Sequence, residues 1–83
     1  MKVETRIAII GIIVEDTQKT ARINEVLHDY SDYIIGRMGI PYRERSVNII
    51  SIVLDAPQDI INTLAGKIGK VDGVSAKTIY SRV

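Results

Sequence analysis

Aliphatic strand-like runs and amphipathic stretches alternate along this chain in a pattern that predicts an α+β sandwich, a four-stranded antiparallel sheet with two helices on one face. Three observations carry the prediction. The segments follow the order βαββαβ, the first and third strand-like runs are the most continuously apolar, and the link between the second and third strands is short enough to demand a hairpin. Two βαβ halves with right-handed crossovers give the ferredoxin-like arrangement, in sheet order 4-1-3-2. Strands one and three are then central, which is where the most apolar strands belong.

The elements follow in turn. TRIAIIGIIVE, Thr5 to Glu15, is dominated by isoleucine and valine, whose branched side chains suit a pleated strand. Asp16 or Thr17 caps the first helix, and Ile23, Val26, Leu27 and Tyr30 recur at the spacing of one helical face, predicting a helix to about Asp29 or Ser31. Tyr33 to Glu44 is the second strand and Val47 to Asp55 the third, with Arg45 and Ser46 near the turn. Pro57 opens the second helix, Asp59 complements its positively polarised first turn, and Ile60, Ile61, Leu64 and Ile68 form its apolar stripe. Lys67 and Lys70 sit near its end, where Gly69 is expected to take a left-handed cap. Val71 to Val74 then turns into strand four, SAKTIYSR.

Composition narrows the function classes. The chain has 83 residues, enough for one domain spanning residues 1–83, and a domain that small has little stability to spare. With no cysteine, disulfides, thiolate zinc sites and cysteine-held iron–sulfur clusters are excluded, which suits a cytoplasmic setting. Lys2 and the run Ile7 to Val14 faintly imitate a leader, but Glu15 and Asp16 end the run and no small-residue cleavage site follows. The run is also too short to cross a membrane as a helix. A net charge of +1 gives no general attraction to nucleic acid or anionic lipid.

Strand alternation exposes a conflict. Strand one offers Ala8, Ile10, Ile12 and Val14 to one face and Ile7, Ile9 and Ile13 to the other; strand three offers Ile50, Ile52 and Leu54 against Val47, Ile49 and Val53. Two helices cover only one face. Leaving about five aliphatic side chains wet forgoes roughly 1.5–3 kcal/mol each, comparable to a small domain's whole stability. Ile7, Ile9, Ile13, Val47, Ile49 and Val53 are therefore the expected interface of a homo-oligomer, a dimer or tetramer.

Catalysis has little to work with. His28 is the only histidine and neighbours Asp29 on a helix; no strained serine elbow, phosphate loop or metal-spaced cluster is present, and Glu15-Asp16 reads as a solvated strand end. The basic trio Arg37, Arg43 and Arg45 is interrupted by Glu44 and lacks a helix-turn-helix, which argues against direct DNA binding. The segment GRMGIPYRER supports two readings. Charge and Pro41 protect an edge strand from aggregation. Equally, Arg37 and Arg43 suit a carboxylate or phosphate and share strand parity, with the adaptable apolar wall of Met38, Ile40 and Tyr42 pointing the other way unless a bulge intervenes, and Gly39 admits close approach.

The segments DYIIGRMGIPYRER and ISIVLDAPQDIINTLAGKIGKVDGVSAKTIYS resemble the iron-only hydrogenase system regulators, over essentially the whole chain, with GRMGIPYRE and LDAP as the specific stretches. The resemblance implies a fold like that of ACT domains and of the C-terminal regulatory domain of nickel-responsive repressors, both ferredoxin-like and oligomeric. It also implies a regulatory protein associated with hydrogenase expression or maturation. Two departures stand out. Amino-acid-binding ACT domains have a proline–glycine step where this chain has Glu15-Asp16-Thr17-Gln18, and the nickel repressors use histidines and a cysteine that this chain does not supply.

The expectation is a non-enzymatic oligomeric module without cofactor, metal or membrane association. It binds a small effector or a hydrogenase-related protein through Asp16, Thr17 and Gln18 and through Arg37, Met38, Gly39, Ile40, Pro41, Tyr42 and Arg43. The alternative is an adaptor with no small ligand that docks on a hydrogenase accessory protein.

Overall fold

The computed structural model describes residues 4–82, and Lys2 lies outside them. Four strands, β1 (Arg6–Val14), β2 (Ile34–Tyr42), β3 (Val47–Ala56) and β4 (Val74–Tyr80), form one antiparallel sheet in the order β2-β3-β1-β4. Two helices, α1 (Thr20–Asp29) and α2 (Gln58–Gly69), complete the βαββαβ order. This is the ferredoxin-like sheet, 4-1-3-2 read from its other edge.

The sheet's register sorts the aliphatic residues as alternation requires. Ala8, Ile10 and Ile12 stand opposite Leu54, Ile52 and Ile50, and all six are buried. With Val14 they form a single core with Ile23, Val26 and Leu27 of α1 and Ile61, Leu64 and Ile68 of α2. Both helices therefore lie on the same face. The opposite set, Ile7, Ile9 and Ile13 of β1 with Ile49 of β3, stays exposed, and Val47 and Val53 are half-buried.

Local chemistry places the ends of the helices. The Asp16 carboxylate accepts from the Gln18 amide at 3.0 Å, but it caps a short 3-10 turn, Thr17–Lys19, and α1 itself starts afterwards at Thr20. Pro57 is the residue before α2, and Asp59 lies in its first turn. The left-handed cap expected at Gly69 is not there. The helix continues through Gly69 to Lys70, which has a right-handed φ of −84° and whose N–H reaches the Gly66 and Ile68 carbonyls. Continuing the winding brings Val71 against the core, so burial outweighs the glycine signal.

The left-handed glycine is Gly73, at φ 77°. Its carbonyl accepts from the Glu15 amide at 2.7 Å and from the Asp16 amide at 3.1 Å, tying the end of β1 to the turn before β4. A Cβ added at Gly73 would stand 2.6 Å from the Asp16 Cβ. Gly73→Ala is thus expected to lower unfolding free energy by more than about 1 kcal/mol, from strained backbone and collision together. In the core, Leu64→Ala should cost about 2–5 kcal/mol. Urea unfolding followed by circular dichroism measures both, and a loss under about 0.5 kcal/mol at either site would contradict the packing described.

Candidate functional site

A bulge at the start of edge strand β2 decides what the strand presents. Ile34 pairs with Leu54, but Gly36 pairs with Val53, so Ile35 is the extra residue. From there Arg37, Gly39 and Pro41 stand opposite Ile52, Ile50 and Asn48, on the helix face of the sheet. Met38, Ile40 and Tyr42 stand opposite Ser51, Ile49 and Val47, on the open face. Without the bulge, Arg37 would have paired with Ser51 and the two sets would have changed places.

On the helix face a cleft of about 250 Å³ lies between α1 and β2, lined by Thr20, Asn24, Arg37, Gly39, Pro41, Asn48 and neighbouring isoleucines. Arg37 donates through Nη2 to Asn24 Oδ1 at 2.8 Å, and Asn48 donates through Nδ2 to Thr20 Oγ1 at 2.7 Å. Arg37 has no carboxylate partner among the described residues, where the ion pair present is Arg22–Glu25 at 2.7 Å. Gly39 contributes space: a Cβ added there meets nothing within 4 Å.

Arg43 does not share a face with Arg37. It lies past the strand end, in the 3-10 turn Arg43–Arg45, whose amide-to-carbonyl closure runs from Ser46 to Arg43 at 3.1 Å with Ser46 at a left-handed φ of 54°. There it lines a second cleft of about 270 Å³ with Thr17, Tyr42, Ser46 and Val47. Pro41 and Asn48 line both clefts, so the two adjoin. Of the loop residues expected beside the edge strand, Thr17 is brought to it. Asp16 is engaged at its cap and against Gly73, and Gln18 borders a separate groove with Lys19, Arg22, Lys67 and Lys70. The residues that sequence reasoning left out, Thr20, Asn24 and Asn48, are ordinary polar residues in α1 and β3. Their one signal was a polar residue at the helix-facing position of β3, Asn48, where alternation calls for an apolar one.

The open face carries a shallow apolar depression of about 520 Å³ floored by Gly11, with Ile13, Ile49 and Ser51 beside it and Lys77 at its margin. Exposed apolar side chains flank it in two cross-strand rows, Ile40, Ile49 and Ile13 in one and Ile9 with Ile79 in the other, with Met38, Ser51, Gly11 and Lys77 in the row between them. No group of histidine, cysteine and acidic residues able to hold a metal ion occurs among the described residues. Nor is any described helix long and apolar enough to cross a membrane.

The fold and these surfaces define a small ferredoxin-like α+β protein with a polar cleft on one side of its sheet and an apolar face on the other. Residues 6–78 match the model of the TM1266-like family, described as "Iron-only hydrogenase system regulator, putative", and the chain belongs to that family. The solved structure of the uncharacterized protein TM1266 from Thermotoga maritima is similar, with a TM-score of 0.90 and 42% sequence identity over 95% of this chain and 100% of that one. No curated protein matches the sequence.

The Asn48–Thr20 hydrogen bond ties β3 to the first turn of α1. Thr20→Val keeps the shape and removes the acceptor, leaving the half-buried Asn48 amide unsatisfied. Its expected cost is about 1–2 kcal/mol in urea unfolding, and an unchanged stability would show that this bond does not help hold the cleft.

Proposed function

We propose that this chain is a non-catalytic regulatory module of the iron-only hydrogenase system, which self-associates through its open sheet face and takes a small effector in the cleft between α1 and β2. The family assignment supports the regulatory role. The observation that carries the self-association is the open face itself, where Ile9 is 40% exposed, Ile13 45%, Met38 57% and Ile79 67%.

Magnitudes support a second copy as the cover. Nine residues of β1 at about 3.4 Å each, in four strands about 4.8 Å apart, make a face on the order of 30 by 15 Å. Two such faces stacked together remove on the order of 1,000 Å² from water, the size at which specific interfaces begin. The side chains involved are mostly isoleucines, which lose little rotamer entropy when buried.

The cleft and the face share residues. Ile40 and Ile49 border the cleft and also stand on the open face, so a ligand that shifts the edge strand moves interface side chains with it. An effector that binds one assembly state better than another shifts the population between them.

Light scattering across a wide concentration range tests the reading. The wild-type chain is expected to have at least the mass of a dimer. Ile9→Lys combined with Ile49→Lys should reduce it to a monomer with its sheet intact, because neither side chain reaches the core. A wild-type chain that stays monomeric at high concentration overturns the self-association.

A further inference from the structure

We infer that the cleft between α1 and β2 is a site for a small organic carboxylate, gripped by Arg37 with help from Asn24 and Thr20. This deepens the effector reading and rests on it. Each polar group bordering the cleft has a donor left to offer. Asn24 Oδ1 is occupied by the Arg37 guanidinium, so its Nδ2 remains as a donor. Thr20 Oγ1 accepts from Asn48, so its hydroxyl proton is free to be donated. Arg37 uses Nη2 on a neutral partner, and its remaining N–H groups and whole positive charge are uncommitted. One cation and two neutral donors therefore border a space that no acidic residue lines.

That donor set suits a carboxylate. A planar guanidinium fork matches a planar carboxylate, and the charge-assisted bonds formed are roughly twice as strong as neutral ones. A phosphate dianion would call for a second cation or a nest of backbone amides, and Arg43 lines the adjoining cleft rather than this one. The volume of about 250 Å³ falls below the ~300–1,000 Å³ of sites for drug-sized ligands, which favours a compact molecule over a nucleotide. Gly39, Pro41 and the nearly buried Ile50 supply an apolar floor for a short aliphatic or aromatic tail.

Gly39 also supplies the means of testing. It pairs with Ile50, so an added side chain would point to the helix side and into the cleft, where its Cβ meets nothing. Its φ is not positive, so a larger residue is compatible with the strand. Gly39→Leu should fill the cleft and leave the fold standing.

The experiment is titration of isotopically labelled full-length protein, followed by amide NMR shifts. The probes are isobutyrate and benzoate, with isobutyramide, benzamide and inorganic phosphate as controls. At least one carboxylate is expected to move the Thr20, Asn24 and Gly39 resonances in a saturable way, with its neutral amide binding about tenfold or more weakly. Gly39→Leu and, separately, Arg37→Gln should each weaken that carboxylate by a similar factor, while both variants keep the wild-type circular dichroism. Equal binding of the amides, a response to phosphate alone, silence at those resonances, or binding that survives both variants would each overturn the assignment. The self-association is read from light-scattering mass, so its failure is seen separately from failure of the carboxylate assignment.

Discussion

The pairing register between β1 and β3 is the constraint on which the rest of this protein depends. With Ala8 opposite Leu54, Ile10 opposite Ile52 and Ile12 opposite Ile50, the middle of the two central strands meets core residue on core residue, and the helices close over them. A slip of one residue would carry Ile9 and Ile13 into the core and push Ile10 and Ile12 out. In most half-buried sheets such a slip is prevented because polar residues would be buried. In β1 both alternating sets are aliphatic, so β1 alone does not specify its own face. The decision comes from β3, where Ser51 sits between Ile50 and Ile52, and from β4, where Ser75 and Lys77 stand opposite Ile13 and Gly11 on the open side.

The same greasy alternation that leaves β1 undecided creates the surface proposed for self-association. A sheet that needs only one apolar face carries two, and the second has no role within the fold. The polar cleft has a different origin. It exists because β2 is an edge strand, uncovered beyond the reach of α1, and because Ile35 shifts the register so that Arg37 rather than Met38 faces the helix side. On β2 the two surfaces meet at adjacent positions, sorted by a single inserted residue.

How far the sequence foretold this varies from element to element. The βαββαβ order, the central position of β1 and β3, and the division of their side chains between faces were legible because burial of aliphatic residues dominates there. The ends of the helices were less so. At Gly69 the local preference for a left-handed cap lost to the burial of Val71, a tertiary effect with no local signature, and the left-handed position fell at Gly73 instead. The expected pairing of Arg37 with Arg43 missed because strand parity was extended past Tyr42, where the chain leaves the sheet for a 3-10 turn. The bulge at Ile35 could not be read from YIIG, since either residue of the Ile34–Ile35 pair could serve as the inserted one.

The carbonyl of Gly73, shared by the amides of Glu15 and Asp16, has a bearing on how the molecule can respond. It clamps the chain where β1 leaves the sheet, and the Asn48–Thr20 bond fastens the first turn of α1 to β3 close by. The helical wall of the cleft is thereby anchored at its root. The opposite wall ends in a free hairpin whose outer strand has no neighbour on one side. If the proposed effector reshapes the cleft, the outer strand, held to α1 by the Arg37–Asn24 bond and otherwise hung on β3, is the wall with room to give.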